Sequence, residues 1–128
     1  MIYLDSSVAL AHLLGEGRVP PDTFWAEPLV SSQLLEYEVW TRIHGRRFGT
    51  LLGDAARALF ARVRLIELTE SVLTRALEPW PVPVRTLDAL HLATIDFLRR
   101  QGDAIELASY DNRLLAAARA LEIPTAAS

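Results

Sequence analysis

Short apolar segments alternate with longer segments of helical periodicity along nearly the whole chain of 128 residues. The predicted strands are 2–4, 29–30, 63–68, 105–108 and 123–126. The predicted helices are 8–14, a short one around Phe24 and Trp25, 32–48, 52–62, 70–78, 87–100 and 111–121. Parallel strands need crossover connections, which helices usually supply. This order therefore predicts an α/β fold with a central parallel β-sheet flanked by helices on both faces.

Capping and helix-breaking residues mark the boundaries of several predicted elements. Thr69 and Thr86 are expected N-caps, and Pro79, Pro81 and Pro83 forbid regular structure between the two helices that follow those caps. The chain contains no internal repeat, low-complexity tract or long linker. We therefore expect residues 1–128 to form a single domain.

Two missing residue types exclude several classes of function. Without cysteine, the chain has no disulfide scaffold and no zinc or iron–sulfur site with cysteine ligands. All 13 basic residues are arginine, whereas phosphate-accepting receiver domains and haloacid-dehalogenase-type phosphatases usually need a lysine. A dinucleotide-binding module would show Gly-x-Gly-x-x-Gly after a strand, and this sequence has no such motif. The net charge of −3 does not by itself indicate a nucleic-acid-binding protein.

The N-terminal segment does not look like a targeting signal. It has no basic region, and its apolar run ends at Asp5. No apolar stretch approaches the length needed to cross a bilayer. We expect a cytoplasmic protein with no membrane association.

Four acidic residues stand where the predicted topology favours a binding site. Asp5 follows the first strand, Asp111 follows the strand at 105–108, and Asp88 lies in the first turn of its helix. Glu38, in the first half of another helix, is within reach of the same region. Ligands of an open parallel sheet bind beyond the carboxyl ends of its strands, so these side chains are expected to meet there. Taken alone, each acid is better explained by ordinary helix capping or solvation.

Converging carboxylates repel each other unless a cation or shared protons offset the repulsion. Oxygen ligands, with no cysteine and few histidines, favour Mg²⁺ or Mn²⁺ over zinc. If the four acids meet, the sequence therefore predicts a site for one of these ions.

Four motifs in order resemble those of the PIN-domain ribonuclease family, and most closely its VapC-type toxins. The segment 4–7 reads LDSS and is similar to the family's opening Asp followed by Ser or Thr. The segment 32–39, SQLLEYEV, matches Ser-x-Leu-x-x-x-Glu-Val and selects Glu38 rather than Glu36. The segments 87–93, LDALHLA, and 109–114, SYDNRL, resemble the two remaining motifs. The segment 15–28 matches nothing characteristic of the family.

The resemblance implies a single PIN-like domain that hydrolyses RNA phosphodiester bonds with Mg²⁺ or Mn²⁺. It implies that Asp5, Glu38, Asp88 and Asp111 are catalytic and bind the metal directly or through water. Ser6 and Ser109 are auxiliary candidates, for which local turn capping is an equal alternative.

Several other residues have two interpretations. Arg42 and Arg46 lie one helical turn apart and either bind RNA phosphates or form a solvated face, and Arg85 is a weaker candidate of the same kind. His91 lies one turn after Asp88, where helix packing is favoured over a catalytic role.

The resemblance also implies partners. VapC-type toxins of type II toxin–antitoxin systems are typically homodimers that a cognate antitoxin neutralises. A housekeeping PIN-domain nuclease of RNA processing is the alternative within the family. A non-catalytic RNA-binding or dimerisation module is the alternative from another class.

Overall fold

A four-stranded parallel sheet forms the centre of the protein. The computed structural model describes residues 1–126, so residues 127 and 128 of the predicted domain lie outside the described part. The strands are β1 (Ile2–Leu4), β2 (Leu29–Ser32), β3 (Val63–Ile66) and β4 (Glu106–Ala108). Their order across the sheet is β3-β2-β1-β4, and every pairing is parallel. The first strand of the chain is therefore an inner strand.

In the described part of the chain, six α-helices connect or follow these strands, in the alternating order that the sequence predicts. They are α1 (Ser6–Leu14), α2 (Leu34–Gly45), α3 (Gly49–Ala61), α4 (Glu70–Ala76), α5 (Thr86–Arg100) and α6 (Asn112–Ala120). A short 3₁₀ helix, Asp22–Ala26, lies before β2, where a short helix around Phe24 and Trp25 is expected. No helix within residues 1–126 is long and apolar enough to cross a membrane.

The boundaries of α2 differ from the predicted 32–48. Ser32 belongs to β2, and its Oγ accepts a hydrogen bond of 3.1 Å from the Leu34 N–H, so the helix begins two residues later. At the other end, Arg47 has a φ of 59°, a left-handed conformation that a helix cannot contain. A second helix, α3, then starts at Gly49 rather than at residue 52.

The predicted last strand, 123–126, is not a strand. Only an isolated parallel bridge joins Leu107 to Thr125. Two backbone hydrogen bonds of 2.8 Å, from Leu107 to Pro124 and from Ala126 to Leu107, hold this segment beside β4. Pro124 has no N–H to donate, which limits how far the pairing extends.

The sheet is covered on both faces, as predicted. On β1, Ile2 and Leu4 contribute to one apolar cluster and Tyr3 to the other, since successive strand residues point to opposite faces. The first cluster is completed by residues of α1, α2 and α3, and the second by residues of α5 and α6. Burying one large aliphatic side chain contributes about 1.5–3 kcal/mol. Packing on two faces therefore fixes β1, and with it the residue that follows, Asp5.

Candidate active site

All four predicted acids line one cleft at the carboxyl ends of the strands. The cleft has a volume of about 560 Å³. Asp5 follows β1 directly, Asp111 lies beyond β4, and Glu38 is on the helix that follows β2. Asp88, in the first turn of α5, completes the set. Asp5 and Asp88 are nearly buried, at 4% and 7% exposed.

Two serine hydroxyls fix Asp5. Its Oδ2 accepts hydrogen bonds from the Ser7 hydroxyl and, at 2.8 Å, from the Ser109 hydroxyl. The Ser7 Oγ in turn accepts from the Tyr110 N–H at 2.9 Å, and the Ser109 Oγ accepts from the Asp111 N–H at 2.9 Å. Both serines therefore donate to the same oxygen of Asp5, and these hydrogen bonds link the ends of β1 and β4. Ser109 is one of the predicted auxiliary residues. Ser7, the second residue of α1, is not among the predicted site residues.

Asp88 and Asp111 each satisfy backbone N–H groups at the start of a helix. Asp88 Oδ2 accepts from the Arg85 N–H at 3.2 Å, and Asp111 Oδ1 accepts from the Arg113 N–H at 2.9 Å. The expectation that Thr86 caps α5 is wrong, because Thr86 is already the first helical residue and Arg85 occupies the N-cap position. Asp88 takes over part of the capping by reaching back to the N-cap backbone.

Glu38 is held by two polar side chains, and a third side chain holds one of these two. Its Oε2 accepts from the Ser6 hydroxyl at 3.0 Å, and its Oε1 lies 2.6 Å from His91 Nε2. The other ring nitrogen of His91 is 2.7 Å from the Tyr3 hydroxyl. His91 is therefore a buried packing residue, as favoured from the sequence, but it also fixes a cleft acid. The three-residue spacing from Asp88, which places both on one helix face, was the signal for this role.

Charge distinguishes Glu38 from the three aspartates. Burial lowers the pKa of His91, but the hydrogen bond and charge of Glu38, together with the charges of Asp5 and Asp88, raise it by more. The net upward direction favours an imidazolium that neutralises Glu38. Burial also raises the pKa of Tyr3, which keeps that hydroxyl neutral.

The three aspartates keep one carboxylate oxygen each for a ligand. Within residues 1–126, Asp5 Oδ1, Asp88 Oδ1 and Asp111 Oδ2 accept no protein hydrogen bond, and none of the three aspartates has a basic partner within ion-pair distance. Two nearly buried carboxylates without a countercharge suit a divalent cation. In the same part of the chain, no three acidic or histidine side chains form a ready-made metal cage. Water and substrate oxygens would have to complete the coordination, as Mg²⁺ commonly allows.

The three predicted RNA-binding arginines are not equivalent. Arg42 and Arg85 line the cleft, whereas Arg46 lines a separate groove beside it. Glu16, from the segment in which no motif was found, also reaches the cleft. Its isolated position in the sequence gave no signal for this placement.

Comparison with known proteins agrees with this architecture. A sequence model of the PIN domain matches residues 2–120. Ribonuclease VapC47 of Mycobacterium tuberculosis (strain CDC 1551 / Oshkosh) is 30% identical, over 98% of this chain and 96% of that protein. Ribonuclease VapC46 of strain ATCC 25618 / H37Rv is 33% identical, over 94% of this chain and 92% of that protein.

A solved structure is similar in fold. The crystal structure of Mycobacterium tuberculosis VapC20, a sarcin–ricin loop cleaving toxin, superposes with a TM-score of 0.69. The match covers 91% of this chain and 95% of that one, at 24% identity. The domain match, the two full-length relatives and the shared topology agree, and the chain belongs to the PIN-domain family.

Proposed function

We propose that this chain is a Mg²⁺- or Mn²⁺-dependent endoribonuclease of the VapC toxin type, which hydrolyses RNA phosphodiester bonds. Two relatives that match nearly its whole length are ribonucleases. The observation that carries the proposal is the cleft itself. It brings together Asp5, Asp88 and Asp111, each with a carboxylate oxygen that no protein group within residues 1–126 engages.

The three aspartates would hold the metal directly or through water. Glu38, whose two oxygens are engaged by Ser6 and His91, fits a water-mediated contact. When bound, a divalent ion would make a water nucleophilic and offset charge on the reacting phosphate.

The chain's own residues position and neutralise the reactants. Ser7 and Ser109 fix the orientation of Asp5, and His91 fixes Glu38. The planar guanidinium groups of Arg42 and Arg85, at the cleft wall, suit paired hydrogen bonds to the oxygens of a phosphate. One of the cleft acids would also accept a proton from the attacking water.

Cleavage of a labelled single-stranded RNA with and without divalent metal tests the proposal. We expect cleavage with Mg²⁺ or Mn²⁺, loss of cleavage with excess EDTA, and recovery when the metal is restored. Cleavage that persists unchanged in EDTA would overturn the metal assignment. RNA binding without cleavage under every metal condition would instead favour the non-catalytic RNA-binding module.

We further propose that the protein acts in the cytoplasm, forms a homodimer and is neutralised by a cognate antitoxin. An apolar groove of about 680 Å³ adjoins the cleft and is lined by Leu10, Leu34, Tyr37 and Leu87, among others. Apolar side chains of an antitoxin segment fit this groove, and a basic residue of the segment would be attracted to the acids next to it.

Expression in a heterologous bacterium separates a toxin from a housekeeping nuclease. We expect the wild-type chain to arrest growth and the Asp88→Asn variant not to. Co-expression of the protein from an adjacent small open reading frame should relieve the arrest. Normal growth at high levels of active wild-type protein would favour the housekeeping function.

A further inference from the structure

Arg18 lies against a residue of the cleft but has no anionic partner. Its guanidinium carbon is 4.3 Å from the centroid of the Tyr110 ring. Arg18 is exposed, and no hydrogen bond or ion pair joins its side chain to another of the residues 1–126. Tyr110 lines the cleft and stands between Ser109, which holds Asp5, and the site acid Asp111. Arg18 itself does not line the cleft, and its cation–π contact with Tyr110 is what links the segment after α1 to a cleft residue.

The sheet order places this cation on one side of Asp5 and Arg42 on the other. Tyr110 follows β4, whereas Arg42 belongs to the helix that follows β2. Asp5 follows β1, which lies between β2 and β4. Neighbouring strands are spaced by roughly 4.8 Å, so the ends of β2 and β4 are about 10 Å apart. A nucleic-acid strand that crosses these ends would pass Asp5 between the two flanks.

The cleft is lined by more acidic than basic side chains, so a further cation beside it would favour RNA binding. The arginines that line the cleft are Arg42 and Arg85, while Glu16 adds a further carboxylate. With an overall charge of −3, the protein has no general attraction for RNA. A guanidinium that lies on an aromatic ring keeps the N–H groups at its edge free to donate to phosphate oxygens.

We propose that Arg18 binds an RNA phosphate on the β4 side of the cleft, opposite Arg42, and that Tyr110 is the positioning residue that holds Arg18 there. The proposal rests on the ribonuclease function proposed above and extends it to the path of the substrate. The RNA strand crosses the carboxyl ends of β2, β1 and β4 in turn.

Binding of a fluorescent single-stranded RNA oligonucleotide, measured by anisotropy in EDTA across a series of salt concentrations, tests this contact without cleavage. Arg18→Gln should weaken binding by about tenfold. It should also flatten the slope of log affinity against log salt by about 0.7, the value for one lost contact to a single strand. Arg119→Gln is the matched control, because it removes the same charge near the far end of α6.

Two variants of Tyr110 test the positioning role. Tyr110→Leu removes the ring and should reproduce most of the Arg18→Gln effect. Tyr110→Phe keeps the ring, and the hydroxyl that it loses is buried without a hydrogen-bond partner within residues 1–126. It should therefore bind more tightly than Tyr110→Leu. Thermal unfolding of each variant checks that the fold is retained.

The possible results separate this inference from the proposed function. If the wild-type protein cleaves RNA but Arg18→Gln binds and responds to salt as Arg119→Gln does, the Arg18 contact is wrong and the nuclease stands. If the wild-type protein cleaves nothing but Arg18→Gln still weakens binding and flattens the slope, the contact stands and the nuclease is wrong. Equal affinities for the two Tyr110 variants would overturn the positioning role.

Discussion

Neutral hydrogen-bond donors hold the aspartates of the cleft, so the negative charge of these carboxylates is not paired with a positive one. Hydroxyl and backbone N–H groups orient Asp5 and Asp88 without cancelling their negative charge. An arginine in the same place would have formed an ion pair and left no free charge for a metal. Glu38 is the exception, because His91 orients it, and the hydrogen bond and charge of Glu38 raise the pKa of that imidazole. The kind of hydrogen-bond donor at each acid therefore distinguishes these aspartates from Glu38.

Asp88→Asn should reduce metal-dependent RNA cleavage by more than about a hundredfold, since even the loss of groups that support a ligand costs tenfold to a hundredfold. The asparagine carbonyl can still accept from the Arg85 N–H, so the free energy of unfolding should change by less than about 1 kcal/mol. Cleavage assays with matched chemical denaturation measure both effects. Asp54→Asn, on the exposed surface of α3, is the control. An Asp88 variant with the control's activity would exclude Asp88 from the site.

Ser7→Ala tests the hydroxyl that sequence analysis missed. The change removes a donor to Asp5 and an acceptor for the Tyr110 N–H, so it should lower the free energy of unfolding by about 1–2 kcal/mol. Misplacing Asp5 should also lower the cleavage rate by roughly tenfold to a hundredfold. Ser71→Ala, at an exposed position of α4, is the control for both measurements. Unchanged cleavage and stability would show that Ser109 alone fixes Asp5.

At the scale of elements, α2 presents its polar face along the wall of the site. Glu38 and Arg42, one turn apart, both line the cleft, and Arg46, one turn further, lines only the adjoining groove. The same helix faces the core with Leu35, Val39 and Ile43. A single amphipathic helix therefore supplies both an acid and a cation to the site.

Arg42→Gln should flatten the salt dependence of RNA binding more than Arg46→Gln does, because only Arg42 reaches the cleft. For one lost contact to single-stranded RNA, the slope should change by about 0.7. The anisotropy assay in EDTA measures both variants, with Arg119→Gln as the control. Equal slopes for all three variants would assign Arg42 to solvent rather than to the substrate.

Periodicity and capping residues in the sequence predict the strands and helices well, and they predict details that depend on distant contacts poorly. The place of Asp5 after β1 follows from the sequence, because an apolar run ends there. The end of α2 does not, because it depends on the left-handed backbone at Arg47. The bridge at Thr125 falls short of a strand because Pro124 limits the pairing. The support of Asp5 by Ser7 and of Glu38 by His91 depends on residues that meet only in the folded sheet.

At the scale of the whole molecule, two apolar clusters account for the interior, but several large apolar side chains remain outside it. Leu73, in the middle of α4, and Leu77, directly after it, are 43% and 88% exposed and line an apolar depression between α4 and α5. Leaving such surface in water is unfavourable by about 25 cal/mol per Å². In the proposed homodimer, a second copy of the chain would cover this surface.

Leu77→Glu should convert the proposed dimer to a monomer, because it places a charge at the centre of this apolar surface. Light scattering after size-exclusion chromatography measures the change. Leu51→Glu is the matched control, since Leu51 is 76% exposed but lies on α3. A Leu77 variant that stays dimeric, or a monomeric wild-type chain at micromolar concentration, would place the interface elsewhere or remove it.

The bond between Ser109 and Asp5 joins residues 104 positions apart, and this separation has a consequence for synthesis. A ribosome adding roughly 5–20 residues per second takes about 5–20 s to bridge that interval. During this time Asp5 has neither Ser109 nor β4 beside it. The proposed active site therefore cannot be complete until nearly the whole chain has been made, so we expect no RNA cleavage by the growing chain before that point.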